Sequence, residues 1–170
     1  LDACCEVNRQ QAKENGTQPK PLLVKVAPDL TNEQLVHIAL TAKKNHADGI
    51  VVSNTTIERP EAHHKQDAKV FSETGGLSGQ PLKQRSTEMI RQVRQNVGND
   101  WPIVGVGGIS SPQDAFEKIK AGATLLQAYS AFVFEGPSLS KAIVHGLKDS
   151  LDNEDFLSLQ SAVGADEQPK

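Results

Sequence analysis

Short apolar runs alternate with amphipathic stretches along most of the chain. Four of these runs have the length and composition of buried strands, at residues 22–26, 49–53, 102–106 and 124–127. Between them the apolar residues recur at helical spacing, as they do on one face of a helix. The pattern therefore predicts the order β-α-β-α-β-α-β-α, which is typical of a parallel sheet with right-handed crossover connections.

The ends of the predicted helices carry specific signals. Thr31 and Gln34 have the spacing of a capping box at the start of the helix after the first strand. Ser111 is predicted to cap the helix that follows residues 102–106. Residues 57–77, by contrast, are polar and predict a long loop without a strand, and such loops often cover an active site.

Residues 102–110, Pro-Ile-Val-Gly-Val-Gly-Gly-Ile-Ser, join a predicted strand to the start of a helix through two adjacent glycines. Bare backbone N–H groups at such a turn can bind a phosphate, and the helix dipole favours the anion. Gly107 and Gly108 could equally serve only to form a tight turn. A second glycine-rich stretch at residues 75–79 adds weight to phosphate binding.

Polar side chains interrupt or follow the first two predicted strands. Lys25 lies within an apolar strand, where it either extends to solvent or brings a cation to the carboxyl edge of the sheet. Residues 53–56, Ser-Asn-Thr-Thr, suit a turn or the binding of a polar ligand. Their position at the carboxyl end of a parallel strand favours ligand binding.

The position of the glycines distinguishes two architectures. A dinucleotide-binding fold places its glycine-rich turn after the first strand, whereas a barrel often builds a phosphate site near its seventh and eighth strands. The sequence therefore predicts the C-terminal half of a (β/α)8 TIM barrel over residues 1–165, with a disordered tail over 166–170. A whole barrel takes about 250 residues, and the chain begins without methionine, so we expect a piece of a longer protein.

Composition narrows the possible partners. The net charge is −3, and no basic stripe interleaved with aromatic residues is present, which disfavours nucleic-acid binding. Neither a membrane-spanning apolar run nor a signal peptide is visible. Cys4 and Cys5 have neither zinc-site nor disulfide-framework spacing. His63 and His64 lack a third ligand at metal-binding spacing, so no metal site is predicted.

Four motifs occur in the order found in dihydroorotate dehydrogenases, and the resemblance runs from about residue 20 to residue 165. They are LVKVAPDL at 23–30, SNTT at 53–56, SETGGLSGQPL at 72–82 and IVGVGG at 103–108. The first and third are similar to the class 2, quinone-linked enzymes. The resemblance implies an FMN-carrying barrel that oxidises dihydroorotate to orotate in pyrimidine (UMP) biosynthesis and passes electrons to ubiquinone. It also implies the mitochondrial inner membrane for a eukaryotic protein, and otherwise a cytoplasmic protein associated with the membrane.

The resemblance assigns roles to individual residues. Lys25 would lie beside the flavin and stabilise negative charge on its reduced ring. The residues implied to bind FMN are Lys25, Ser53, Ser78, Gly79, Gly107, Gly108, Tyr129 and Ser130. Asn54 and Thr55 would bind orotate, and the implied quinone channel is lined by Tyr129, Val133 and Pro137. Ser53 departs from the threonine that many relatives carry.

Several parts of the family's machinery fall outside this chain. The catalytic base, a serine in class 2 enzymes, belongs to the first half of the barrel, as do the membrane-associating helices. We therefore expect the N-terminal half of the barrel as a partner and the chain alone to be inactive. Two alternatives are another FMN barrel, either a class 1 enzyme or a dihydropyrimidine dehydrogenase-like domain, and a non-catalytic phosphate-binding half-barrel.

Overall fold

The computed structural model describes residues 1–61 and 65–167. Four parallel strands form one sheet, with the bounds β1 Leu23–Val26, β2 Gly49–Val52, β3 Ile103–Val106 and β4 Leu125–Gln127. The strands lie in sequence order, and each pairs in parallel with the next. Sequential order is that of a (β/α)8 barrel, whereas a doubly wound sheet reverses its order near the middle. The predicted fold class is confirmed.

Helices connect the strands and follow the last one. Their bounds are α1 Asp2–Glu14, α2 Asn32–Lys44, α3 Lys65–Phe71, α4 Lys83–Val97, α5 Pro112–Lys120, α6 Ala131–Glu135, α7 Leu139–Asn153 and α8 Leu159–Ala162. The hydroxyl of Thr31 accepts a hydrogen bond from the Gln34 N–H, and the Gln34 side chain accepts one from the Thr31 N–H. The Ser111 hydroxyl accepts from the Asp114 N–H at 3.2 Å. Both predicted N-caps are therefore confirmed.

Two segments are more regular than the sequence predicted. The long loop at 57–77 contains α3, and Thr56 pairs with Leu77 across its base. Arg59 orders this loop by donating hydrogen bonds to the carbonyls of Phe71, Glu73 and Gly75. His63 and His64 lie outside the described residues.

The predicted tail is the second such segment. Ala165–Glu167 form a 3-10 turn, so regular structure extends past the predicted boundary at residue 165. Asp166 pairs with Arg91 on α4 at 3.4 Å, which attaches this turn to the body of the fold. Residues 168–170 lie outside the described part of the chain.

The two faces of the sheet have different environments. One face packs on α2 and α4, and the fully buried side chains there include Leu35, Ile50, Met89, Ile90 and Ile103. Side chains alternate along a strand, so Lys25, Leu125 and Gln127 lie on the opposite face, where they are exposed. None of the helices among the described residues is long and apolar enough to cross a bilayer.

Arg94 is a buried cation at the amino ends of the strands. Its guanidinium donates to the carbonyls of Gly98, Trp101 and Gly122, and the side chain is 3% exposed. These carbonyls belong to the end of α4, the approach to β3 and the turn before β4. Burial lowers the pKa of Arg94, and the nearby Asp100 carboxylate partly offsets this. A single side chain thus connects three elements at the end of the sheet opposite the strands' carboxyl termini.

We expect Arg94→Met to lower the free energy of unfolding by about 3 kcal/mol, because three buried carbonyls lose a charged donor. Urea unfolding followed by circular dichroism measures this loss. Arg9→Met is the matched control, since Arg9 forms an exposed pair with Glu6 and no other ion pair with the described residues, and such pairs contribute less than about 1 kcal/mol. Equal losses in the two variants would contradict the role given to Arg94.

Candidate functional site

A cavity of about 360 Å³ lies at the carboxyl ends of the four strands. Each strand contributes to its wall: Lys25 from β1, residues 53–55 after β2, residues 106–110 at the end of β3, and residues 127–131 at the end of β4. Residues 78–80 of the second glycine-rich stretch complete the wall. Barrel enzymes place their active sites at this end of the strands, so the cavity is the candidate active site.

The structure gathers every residue predicted to hold the cofactor or the substrate into this one cavity. They are Lys25, Ser53, Asn54, Thr55, Ser78, Gly79, Gly107, Gly108, Tyr129 and Ser130. Gln80 and Gln127 also line it, although the sequence analysis did not select them. Gln127 could have been predicted to line the cavity from its position, because it is the last residue of β4 and lies on the same face of the sheet as Lys25.

The glycine turn after β3 packs directly on the start of α4. Gly107 and Gly108 have φ values of +116° and +67°, a region that favours glycine. A Cβ on Gly108 would lie 2.5 Å from the Lys83 Cβ and 2.7 Å from the Lys83 nitrogen. Both glycines are therefore required by the turn itself. Their N–H groups make no hydrogen bond to any other described residue, so two backbone donors are available in the cavity wall.

Contacts from α4 and α5 hold this turn from behind. The Ser86 hydroxyl lies 3.1 Å from the Gly107 carbonyl oxygen. The Asp114 carboxylate accepts from the Ser110 N–H at 3.0 Å and from the Ser110 hydroxyl at 2.9 Å. Lys83 Nζ lies 2.7 Å from the other Asp114 oxygen. These anchors use the Gly107 carbonyl, the Ser110 N–H and side-chain groups, and none of them uses the N–H groups of Gly107 and Gly108.

The Lys83–Asp114 pair is charged at neutral pH. Burial alone would raise the pKa of Asp114, but hydrogen bonds from Lys83, Ser110 and Ser111 outweigh it and hold that pKa well below its usual range. Hydrogen bonds to Asp114 and Glu117 raise the pKa of Lys83. The support of the glycine turn therefore depends on an ionised carboxylate.

The second glycine-rich stretch covers the residues that follow β2. A Cβ on Gly76 would lie 1.9 Å from Thr55 Oγ1, so only glycine fits there without moving that side chain. The Ser130 hydroxyl donates to the Ser78 hydroxyl at 3.0 Å. The loop is thereby connected to both the β2 and β4 ends of the cavity. Gly79, at φ +84°, begins the 3-10 turn that precedes α4.

Hydrogen bonds to both neighbouring strands position the segment after β2. The Ser53 N–H donates to the Val106 carbonyl at 3.1 Å, and the Asn54 N–H donates to the Val26 carbonyl at 2.8 Å. Ser53 is 1% exposed, whereas the Asn54 side chain is exposed. The backbone is therefore fixed at the point from which Asn54 enters the cavity wall.

Thr56 has a different role from the three polar residues before it. Its hydroxyl donates to the Asp29 carboxylate, which also accepts from the Ile57 N–H. Thr56 is 7% exposed and does not line the cavity. It bonds the end of this segment to Asp29 in the loop after β1, so for Thr56 the turn alternative holds rather than the favoured ligand contact. Residues 53–55 line the cavity, and ligand binding there stays a prediction.

Lys25 brings an uncompensated cation to the cavity. It lies on the face of β1 opposite Val24 and Val26, which pack in the core. Its side chain lines the cavity, and no carboxylate among the described residues lies within ion-pair distance of it. Of the two alternatives that the sequence left open, the structure supports a cation at the carboxyl edge of the sheet.

A second cavity of about 710 Å³ adjoins the first and shares Lys25 and Tyr129 with it. Its other walls are mostly apolar and come from β4, α6 and α7, with Leu125, Phe132, Ile143, Val144 and Leu147 among them. Tyr129 thus lines both cavities. Val133 and Pro137, predicted to line a channel with it, line neither cavity, because α6 and the turn after it expose them to solvent.

We expect Asp114→Asn to lower the free energy of unfolding by about 2 kcal/mol at pH 7, because Lys83 and Ser110 lose a charged acceptor. Since folding lowers the pKa of Asp114, its stabilisation is complete above the usual carboxyl range. It is lost progressively as the pH falls below about 4, so the difference between the two proteins should shrink there. Chemical unfolding at several pH values measures this. Glu6→Gln, in the exposed Glu6–Arg9 pair, is the control, and a loss that does not depend on pH would contradict the electrostatic role.

Comparison with known proteins gives a consistent result. The profile of the family described as dihydroorotate dehydrogenase matches residues 3–151. The mitochondrial dihydroorotate dehydrogenase (quinone) of Arabidopsis thaliana is 46% identical over 148 residues, covering 87% of this chain and 32% of the relative. The dihydroorotate dehydrogenase (quinone) of Rhizobium johnstonii is 48% identical over 140 residues, covering 82% of this chain and 38% of the relative.

Solved structures agree with the sequence relatives. Ligand-free dihydroorotate dehydrogenase from Eimeria tenella superposes with a TM-score of 0.82 at 36% identity, covering 91% of this chain and 42% of that one. The same enzyme in complex with ferulenol gives a TM-score of 0.82 over 90% of this chain. The chain spans less than half the length of each of these relatives. With the family profile matched over most of its length, the chain belongs to the dihydroorotate dehydrogenase family.

Proposed function

We propose that the natural protein carrying this chain is a quinone-dependent dihydroorotate dehydrogenase, which oxidises dihydroorotate to orotate in pyrimidine biosynthesis. One observation carries this proposal: a single cavity combines an unpaired lysine, two glycine-rich turns and a pair of exposed polar side chains. The choice of a quinone as the electron acceptor rests on the names of the relatives. Inactivity of residues 1–170 alone remains a prediction, because the base serine is expected in the N-terminal half of the barrel.

Membership of the family implies a flavin, and FMN is the flavin we propose. The fit rests on the phosphate end of the cavity, where Gly107 and Gly108 offer two unpaired N–H donors and no side chains. The hydroxyls of Ser78 and Ser130 line the same cavity. Such a combination of backbone and hydroxyl donors suits a phosphate monoester. When bound, FMN supplies the redox chemistry that links dihydroorotate oxidation to quinone reduction.

Asn54 and Thr55 are the proposed contacts to dihydroorotate and orotate. Both side chains are exposed and line the cavity, and the backbone that leads to them is bonded to β3 at Ser53 and to β1 at Asn54. An amide both donates and accepts hydrogen bonds, and a hydroxyl does the same, which suits a ring that carries amide groups and a carboxylate. Because Gly76 has no side chain, it leaves free the space that the Thr55 hydroxyl occupies.

Lys25 is the proposed electrostatic residue. The alternation of side chains along β1 directs it away from the core, and its charge is not neutralised by a nearby carboxylate among the described residues. A preorganised cation stabilises negative charge that develops beside it during a reaction. Lys25 would therefore favour reduction of the cofactor at its pyrimidine edge.

The apolar second cavity is the proposed path of the quinone, with Tyr129 between it and the first cavity. Val133 and Pro137 stay predictions as channel residues. For the location we propose the mitochondrial inner membrane, in line with the name of the Arabidopsis thaliana relative. Because bacterial relatives carry the same quinone name, the cytoplasmic membrane is the corresponding location in a bacterium.

The function is tested by purifying the natural protein, identifying any released flavin by chromatography, and measuring dihydroorotate oxidation with different acceptors. We expect FMN, and turnover with a ubiquinone analogue. Turnover only with fumarate or NAD would identify another FMN barrel enzyme. A colourless protein that binds phosphate without turnover would identify a non-catalytic phosphate-binding protein, and either result would overturn the proposal.

We expect Lys25→Ala to slow flavin reduction by dihydroorotate about 100-fold, which corresponds to about 3 kcal/mol of lost transition-state stabilisation. FMN content should stay close to that of the unaltered protein, because the phosphate contacts are made elsewhere. Anaerobic stopped-flow absorbance measures the rate. Lys44→Ala, an exposed lysine at the end of α2, is the control, and a rate for Lys25→Ala equal to that of Lys44→Ala would remove Lys25 from the mechanism.

We expect Gly76→Ala to raise KM for dihydroorotate about tenfold, because the added methyl group overlaps the Thr55 hydroxyl and displaces a bound-substrate contact worth about 1.4 kcal/mol. Steady-state kinetics at saturating quinone measures KM, and FMN content should not change. Glu73→Ala is the control in the same loop, since its side chain is exposed and does not line the cavity. If Gly76→Ala raises KM equally in a Thr55→Ala background, the effect does not pass through Thr55.

A further inference from the structure

Lys118 on α5 is a fully buried lysine that makes no ion pair with any described residue. Its Nζ donates to three neutral oxygens: the Lys83 carbonyl at 3.2 Å, the Ser86 hydroxyl at 2.6 Å and the Thr87 hydroxyl at 2.9 Å. Burial lowers its pKa to about 8, although the charges of Glu117 and Asp114 partly oppose this. Burying an unpaired cation is unfavourable, and a methionine would fill a similar volume without that penalty.

The partners of Lys118 are the residues on which the glycine turn rests. Lys83 is the residue that a Cβ on Gly108 would strike, and Ser86 is the residue nearest to a Cβ on Gly107. Lys118 therefore lies directly behind the contact between α4 and the turn after β3.

The Ser86 hydroxyl links Lys118 to the glycine turn. It accepts from Lys118 Nζ, and its one hydrogen lies within reach of two carbonyl oxygens, that of Gly107 at 3.1 Å and that of Lys83 at 3.2 Å. Because the Lys83 carbonyl already accepts from Lys118 Nζ and from the Thr87 hydroxyl, the Gly107 carbonyl is the less crowded acceptor for Ser86. A continuous chain of donors thus runs from the ammonium group through Ser86 to the glycine turn.

Lys118 and Lys83 differ in the groups that their ammonium ions contact directly. Lys83 Nζ lies 2.7 Å from an Asp114 oxygen and 3.1 Å from a Glu117 oxygen, so two carboxylates compensate it. Among the described residues, Lys118 makes direct contact only with neutral groups, and the charges of Asp114 and Glu117 act on it at longer range. Lys83 is the first residue of α4, whereas Lys118 contacts that end of α4 from α5, so Lys118 is the lysine beside the turn that has no carboxylate in direct contact.

We propose that Lys118 is a positioning residue for the phosphate of the bound flavin nucleotide. It orients Ser86, which holds the Gly107 carbonyl and so directs the N–H groups of Gly107 and Gly108 toward the phosphate. Its charge polarises this chain of hydrogen bonds from behind. The inference rests on the proposed function, because it requires a phosphate-bearing cofactor at this turn.

The test compares FMN with riboflavin, which lacks the phosphate, in the flavin-free natural protein. We expect Lys118→Met to raise the Kd for FMN at least tenfold and the Kd for riboflavin less than twofold, measured by quenching of flavin fluorescence. Arg94→Met is the matched control, since Arg94 is also a buried cation bound to neutral oxygens but lies at the opposite end of the strands. It should lower the melting temperature without changing the ratio of the two Kd values.

Ser86→Ala is a smaller change and keeps the inference testable if Lys118→Met does not fold. It should reduce the preference for FMN in the same direction, and combining the two substitutions should add little to either one. Variants that keep the preference of the unaltered protein for FMN, or that lose FMN and riboflavin equally, would overturn the role of Lys118 alone. If the unaltered protein binds neither flavin, the proposed function fails and the inference fails with it.

Discussion

The contact between the Gly107–Gly108 turn and the start of α4 is the constraint on which the candidate site depends. At Gly108 a single added carbon would overlap the Lys83 backbone, so the turn can approach α4 this closely only without side chains. The close approach brings the Gly107 carbonyl within reach of Ser86 and brings Ser110 to Asp114. Because these anchors hold the turn through oxygen atoms and side chains, its N–H groups stay available for a ligand.

At the other strand ends, too, some residues hold the backbone in place while their neighbours line the cavity. After β2, Thr56 bonds to Asp29 and holds the turn, while Asn54 and Thr55 remain in the cavity wall. In the covering loop, Arg59 binds main-chain carbonyls that include that of Gly75, and the next residue, Gly76, lies beside Thr55. Some of these polar side chains therefore hold the turn and the loop in place, and the others line the cavity. Buried polar groups need hydrogen-bond partners. Because the groups behind the cavity bond to one another, the unpaired N–H donors and the Lys25 cation of the cavity wall remain available to a ligand.

Local patterns explain what could be predicted from the sequence. The capping box at Thr31 and Gln34 and the N-cap at Ser111 depend on neighbouring residues, and both agree with the structure. The strand ends were predictable to within two residues, so the residues at their carboxyl edge could be grouped correctly. The short α3 was missed because seven polar-rich residues show no clear helical periodicity. Lys118 carries no local signal, since its partners Ser86 and Thr87 lie 32 and 31 positions away.

The glycine turn shows why the two sequence interpretations of Gly107 and Gly108 were not true alternatives. Packing on Lys83 requires glycine whether or not a phosphate binds, so a pair of glycines alone cannot distinguish a tight turn from a phosphate site. The distinction lies in what surrounds the turn: the N–H groups of the two glycines pair with no other described residue and lie in a cavity wall, and Ser86, bound by the buried Lys118, contacts the Gly107 carbonyl. A buried cation on neutral oxygens does not by itself indicate an anion, because Arg94 makes such contacts at the opposite end of the strands in a structural role. The unpaired N–H groups, more than the glycines or the lysine, therefore support the proposal that an anion binds there.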